Sequence, residues 1–463
     1  MRSSNRFLPA CVLAVAMALS PTAKSQGVVV EQTSQKAVEK SLIKEIPTQY
    51  PKTMSSFNNE DGTVAFVLSD ANLNTSEVEL EGYWVNDMVV TKDSVFFCGV
   101  TTGENVVGIV GSFEIATFFA GTSGVNLWSN FLSGDKNYPV LELTRMVSYR
   151  NTYGERHAVC VGKVSDGYSC IVDMPIDATP GSIPGYMSGY INKANETLTD
   201  ISTVHYRDSY YLVTGGFETT SGRSICRRLY DYDNVLYSGL QDVRYVFKID
   251  TSYREWRDFG LLVSSVTDNV FSTASYRKQH AGIEAKGVTT LHIAFYQLSD
   301  FLAGTLSGMK KSLEFPMPSL LYRFRLEQFI VSPSRRTLGL LHTMLDIPYS
   351  DYLEADFTSF IVSVPVRTFR STERILRGMG IFNSNTQYVM NGYKDPLPTS
   401  RMYRSMTFGG TAPCDEQVEY TKNEVDNVFA EKETVAFDVL GFRGNPVNAD
   451  MTRKDSSLVR ICE

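Results

Sequence analysis

No stretch of this chain stays apolar over the ~20 residues that a membrane-crossing helix requires, so no integral membrane segment is expected in the mature protein. H-E-x-x-H, G-x-S-x-G, G-x-x-x-x-G-K-[ST] and a strand-linked G-x-G-x-x-G are all missing. The linear fingerprints of zinc peptidases, α/β-hydrolases, P-loop enzymes and dinucleotide binders are therefore absent, and no cofactor is expected. Cysteines and histidines do not cluster and no C-x-x-C occurs, so a metal centre is not expected either. Positive charge is not in excess: 44 Lys+Arg stand against 51 Asp+Glu, a net of −7, which disfavours nucleic acid as a partner. Helical periodicity is scarce, and residues 372–379 are the one segment that predicts a short helix.

What is present begins with Arg2 and Arg6, followed by the short apolar stretch FLPACVLAVAMALS, which Pro9 interrupts. Ala23 and Ser25 occupy the small-residue positions before Gln26, so residues 1–25 read as an export signal cut after Ser25. An uncleaved anchor is the alternative. Cys11 lies inside the apolar stretch rather than after it, so no lipid attachment is expected. Cleavage removes Arg2, Arg6 and Lys24 from 44 basic residues, leaving 41 against 51 acidic ones, or −10. The expected location is periplasmic, cell-surface or extracellular.

Residues 26–52 are polar and end near Pro47 and Pro51, which predicts a lead-in segment outside the core. From residue 53 to 463 the texture changes to short stretches of Val, Ile, Tyr and Phe between Asp, Asn, Gly and Ser clusters, as expected of strands joined by tight turns. One strand-turn-strand phrase returns at residues 87–113, 145–174 and 202–230. Aligned on Gly99, Gly162 and Gly215, the copies repeat every ~50 to 65 residues, a spacing that suits propeller blades. Fainter copies follow at 261–274, 326–342 and 404–411. The end pieces 62–68 and 434–442 could complete a blade together. These observations predict an all-β fold, a β-propeller of six or seven four-stranded blades in one domain over 53–463. Tandem β-sandwich domains are the alternative.

Two phrases run from an apolar strand into a glycine pair: Tyr211-Leu-Val-Thr-Gly215-Gly216 and Met406-Thr-Phe-Gly409-Gly410. They loosely resemble the kelch type of propeller repeat, and the resemblance implies glycines where strands converge, with Tyr230 and Tyr232 following. The first two copies carry single glycines instead, and none has that family's tryptophan.

Six cysteines follow the signal. Cys160 and Cys170 flank Ser165-Asp166-Gly167 almost symmetrically, which predicts a disulfide across a hairpin, and Cys414 with Cys462 is a weaker candidate pair. Cys98 and Cys226 are expected as free buried thiols. The histidines, at positions 157, 205, 280, 292 and 342, are widely spaced and none is nominated as catalytic. Asp231 and Asp233 could serve as paired acids or offer oxygens to a cation, but a D-x-D on a polar turn is ordinarily solvated turn chemistry. Two function classes remain. One is a non-catalytic binding or scaffold protein that takes an extracellular glycan or protein on its loops. The other is a glycan-directed hydrolase or lyase with acids from different blades. A funnel lined by two carboxylates and an arginine would favour the enzyme, and an aromatic face would favour binding.

Overall fold

In a computed structural model the chain is almost entirely β-structure. The description covers the strands and the turns between them, with side chains chiefly within residues 36–175, 196–218 and 291–303. Residues 1–27 and connections such as 177–185, 231–241 and 280–288 lie outside it. The expected signal segment falls there. Among the described residues there is one short α-helix, Leu298–Ala303, seated on the core by Leu298, Phe301 and Leu302. No described helix is long and apolar enough to cross a membrane.

The strands come in runs. β1 (Val28–Thr33) precedes the run β2 (Val38–Glu45), β3 (Thr53–Asn59), β4 (Thr63–Ser69) and β5 (Thr75–Glu81). Next are β6 (Tyr83–Val90), β7 (Ser94–Thr101), β8 (Gly108–Glu114) and β9 (Thr122–Ser133). Then come β10 (Tyr138–Arg150), β11 (Arg156–Val164), β12 (Ser169–Pro175) and β13 (Tyr186–Asn192). β14 (Glu196–Tyr206), β15 (Ser209–Glu218), β16 (Ser224–Tyr230) and β17 (Asp242–Phe247) follow. β18 (Tyr253–Glu255) leads into β19 (Leu262–Thr267), β20 (Val270–Gln279), β21 (Thr289–Gln297) and β22 (Lys311–Pro316). After these stand β23 (Phe324–Val331), β24 (Thr337–Met344), β25 (Tyr349–Asp356) and β26 (Val366–Thr372). β27 (Arg374–Phe382), β28 (Gln387–Lys394) and β29 (Leu397–Thr407) close the series. The C-terminal part supplies β30 (Asp415–Val418), β31 (Asn423–Val425), β32 (Ala430–Val435), β33 (Asp438–Lys454) and β34 (Leu458–Cys462).

Within each run consecutive strands pair antiparallel, and the late strands cover outer edges: β30 pairs β26, β31 pairs β22 and β32 pairs β17. The long β33 pairs β13, β9 and β5, so that part of the sheet is nearly closed and barrel-like. The leading strands pack in order, β2 on β6, β6 on β10, β10 on β14, β14 on β19, β19 on β23 and β23 on β27. β27 then packs on β2, so the series returns to its start.

Where a run is covered on both faces, its middle strands are buried along their length, whereas β10 alternates between buried and exposed residues. All seven residues of β3 and all seven of β4 are buried. The core is correspondingly a set of layers between runs. Phe66, Phe97 and Phe113 join Met54 and Val85 between the β2 and β6 runs, and the Phe66 and Phe113 rings meet edge-on at 4.8 Å. Val159, Ile171, Leu198 and Leu212 fill the layer between the β10 and β14 runs. Full burial of one such phenylalanine stabilises by about 1.5–3 kcal/mol.

Polar side chains stitch the runs together at the same seams. Asn58 accepts from Val85 N at 3.0 Å and donates to Val85 O at 2.9 Å. Ser169 accepts from Leu198 N at 3.0 Å and donates to Glu196 O at 2.8 Å. The closing seam joins residues far apart in sequence. There Asn391 donates to Leu42 O at 2.7 Å, and Arg401, buried against the Phe57 ring, bonds Glu77 at 2.8 Å.

Several expectations are corrected. Residues 26–52 are not a lead-in: β1 pairs β29 (Val28 with Ser405, Thr33 with Ser400), and β2 buries Val38, Leu42 and Ile43. Proline and charge on the flanks masked these strands. Residues 62–68 lie on β4 between β3 and β5, whereas Thr434 pairs with Val243 in another sheet and residues 438–442, on β33 of the same sheet as β4, pair with β13. Residues 374–379 are strand, since β27 must pair along β28. Residues 404–407 of the last copy fall on β29, the third strand of its run, and 408–411 lie outside the described residues.

Candidate functional site

Close to the start of several leading strands a single residue bulges out of the ladder: Asn86 in β6, Thr144 in β10, Thr199 in β14, Glu327 in β23 and Arg377 in β27. The facing strand must come close, and glycine permits it in three runs. A Cβ on Gly99, Gly162 or Gly216 would stand 1.8, 2.0 and 2.0 Å from the carbonyl oxygens of Trp84, Glu142 and Thr197. The equivalent of Gly99 and Gly162 is thus Gly216, opposite Leu198, whereas Gly215 pairs with Asp200. Gly409 and Gly410 lie outside the described residues.

Just after the bulge, the same position of three consecutive runs carries Asp87, Arg145 and Asp200. With Lys44, Val263 and Gln328 they line a cavity of about 270 Å³ inside the ring of leading strands. Asp87 accepts from Met88 N at 2.9 Å and Met146 N at 3.0 Å and pairs with Lys44 at 3.1 Å. Burial pushes its carboxyl up, but Lys44, Arg145 and the Met146 N–H outweigh that and hold it below its ordinary value. Asp200 accepts from Val263 N at 2.8 Å, while Arg145 Nε stands 3.7 Å away. Here burial wins over Arg145 and the backbone donors, and the carboxyl is pushed up to about 6. Two equivalent acids are thus shifted in opposite directions, Asp87 with a cation at 3.1 Å and Asp200 with one at 3.7 Å.

A second depression of about 620 Å³ opens at the bulged end of β2, β6 and β10. Trp84, Val106 and Leu141 form its apolar part, and Val106 and Leu141 are the exposed large hydrophobics among the described residues, at 51% and 40%. The Trp84 indole N–H is engaged by Asn59 O at 3.2 Å. Around them, Lys40 donates to the Asn86 carbonyl at 3.1 Å and Asn86 donates to Leu143 O at 2.9 Å. Glu39, Glu142, Lys40 and Lys163 balance in charge.

The expected Cys160–Cys170 disulfide is not formed. Both are free, as is Cys98, and all three are buried between the β6 and β10 runs. The register sets Cys170 opposite Gly162 and Cys160 opposite Val172, so the two cysteines, symmetric in sequence, stand two residues out of register in space. Burial raises the Cys170 thiol to about 12, and burial with the neighbouring Cys98 raises Cys160 well above its usual value, so both are unreactive. Cys462 lies opposite Val29, and Cys414 is outside the described residues.

His157 bonds Asp173 at 3.0 Å through Nδ1, and Tyr149 donates to the same carboxylate at 3.3 Å. His205 lies over Tyr210 at 4.5 Å. Asp231 and Asp233 fall outside the described residues. Among the described residues no group of three or more His, Cys, Asp or Glu could hold a metal ion.

Sequence reasoning missed Lys44, Asp87, Arg145 and Asp200 as a group because each comes from a different run. A signal existed: Asp87-Met-Val-Val, Arg145-Met-Val-Ser and Asp200-Ile-Ser-Thr each place a charge before strand residues.

No family model matches the chain, and no curated protein matches it. Among solved structures it is similar to a triple arginine-to-alanine mutant of AofleA from Arthrobotrys oligospora, at 8% identity and a TM-score of 0.40, over 90% of this chain and 96% of that one. A likeness that remote carries no argument about function.

Proposed function

We propose that the protein is an exported, seven-bladed β-propeller that binds an extracellular glycan or protein without turning it over, using the groove at the bulged end of β2, β6 and β10. The blade count is supported by the closed packing order of the leading strands and by β1 completing the β27 run, which leaves no open seam. Recognition rests on one observation above all: the exposed apolar surface of the described residues is concentrated beside Trp84, in a recess ringed by amide, amine and carboxylate groups. An aromatic face with polar groups around it suits a sugar ring or a partner side chain. A screen of glycans and surface proteins with the mature chain tests the reading. Binding that Trp84→Ala abolishes, without product formation, is the expected result. Failure of every ligand in the screen to distinguish the wild type from Trp84→Ala overturns it.

One observation favours the second reading, a glycan-directed hydrolase or lyase: the cavity inside the ring holds two carboxylates with oppositely shifted acidities and an arginine. Against it, Asp87 already accepts from two backbone N–H groups and a lysine, and Asp200 from the Val263 N–H. Steady turnover abolished by Asp200→Asn would replace the first reading by the second.

A further inference from the structure

We propose that the cavity inside the ring of leading strands is an oxyanion site, in which Arg145 and Lys44 hold a small ligand bearing a carboxylate or phosphate group. This site is separate from the groove at Trp84.

The inference comes from which polar groups are already engaged. The carboxylates of the cavity are turned to the scaffold: Asp87 and Asp200 accept backbone N–H groups from the next run. The cations are not engaged to the same degree. A guanidinium has five N–H donors. Of those on Arg145, Nη2 donates to Glu327 O at 3.0 Å, while Nε, 3.7 Å from Asp200, is beyond hydrogen-bond range. Lys44 has three donors and meets Asp87 at 3.1 Å. Its side chain is 32% exposed and that of Arg145 19%, so both reach the cavity while remaining partly sheltered from water. Two cations with donors to offer, facing one recess of about 270 Å³, match an oxygen-rich anion. Ser202 and Gln328 supply neutral polar groups to the same lining.

The charged groups facing the recess are Lys44 of β2, Asp87 of β6, Arg145 of β10 and Asp200 of β14. β19 contributes Val263, and the Glu327 carboxylate of β23 is paired with Arg377 of β27. With both acids ionised the four groups balance. Asp200, raised by burial to about 6, becomes neutral on acidification and leaves one net positive charge, so the anion binds more tightly at low pH.

Isothermal titration of the mature chain with sodium phosphate and with sodium acetate, at about pH 5 and about pH 7.5, tests the proposal. Saturable binding of either anion, tighter at the lower pH and weakened about tenfold or more in Arg145→Gln, is the expected result. Phosphate alone identifies a phosphoryl ligand, and acetate alone a carboxylate. Lys44→Gln removes only a partly exposed amine and gives the same readout should Arg145→Gln fail to fold. Trp84→Ala must leave anion binding unchanged, whatever it does to the groove. No saturable binding of either anion at either pH, or equal affinity in the wild type and both glutamine variants, overturns the site.

Discussion

The cavity inside the ring and the groove at its end are built from neighbouring residues of the same strands, yet they use polarity in opposite ways. Asp87 and Asp200 in the cavity hold backbone N–H groups of the adjoining run, so their charge and shape serve the scaffold. Asn86, one residue before Asp87, and Leu141, four residues before Arg145, instead face a recess where apolar surface is left uncovered. The bulge thus sets Asn86, which ties β6 to β10 through Leu143 O, on the groove side and Asp87 on the cavity side. The consequence is testable: removing the Asp87 acceptor from the cavity should cost stability, and removing apolar surface from the groove should cost binding there.

The largest effect belongs to Asp87→Ala, which leaves Lys44 unpaired and two buried N–H groups without an acceptor. We expect a loss of about 3–5 kcal/mol in denaturant unfolding, the range for breaking one side of a buried pair. A loss below about 1 kcal/mol would break the contrast between the two regions.

Asp200→Asn should act with the opposite sign. The folded carboxyl is raised from 3.8 to about 6, so the native state holds the proton more tightly than the unfolded chain. The stability from this group is complete below about pH 4, declines as pH rises towards 6, and is absent above it, for a total of up to about 3 kcal/mol. Asparagine keeps an acceptor for Val263 N–H without the charge. The variant should therefore lose that decline and, at neutral pH, be at least as stable as the wild type. Asp87 is lowered instead, so its contribution is present above pH 3.8 and lost as pH falls through its lower folded value. An unchanged pH profile in Asp200→Asn would remove the distinction drawn between the two acids.

These two acids also show how far the sequence could be read. The recurrence of strand, turn, strand was legible at 87–113 and 145–174 because Gly99 and Gly162 sit at the same register opposite a bulge. In the third copy Gly215 and Gly216 compete, and choosing the first hid the equivalence of Asp200 with Asp87. The all-β fold was legible from composition and turn spacing. Its closure was not, because β1 pairs with a strand some 370 residues away (Val28 with Ser405) and nothing local in a polar segment announces such a partner. The cysteine symmetry misled for a related reason: sequence distance from a turn does not fix register, and here Cys170 faces Gly162. The groove was invisible, since Trp84, Val106 and Leu141 meet only when three runs are assembled.

The smallest effect on stability, about 1 kcal/mol or less, is expected from Leu141→Ser in the groove, where 40% of the side chain is already exposed. Equilibrium unfolding checks it. A loss comparable to that of Asp87→Ala would mean the groove is part of the core.

The role of the groove is tested by a parallel measurement on residues 26–463 of the wild type and of Trp84→Ala: unfolding free energy and binding to whichever glycan or surface protein the screen selects. The expected result is cooperative unfolding in both proteins, with some stability lost where the partly buried, hydrogen-bonded indole is removed, and at least a tenfold loss of affinity in the variant. Equal affinity in the two proteins, with folding intact, would contradict it.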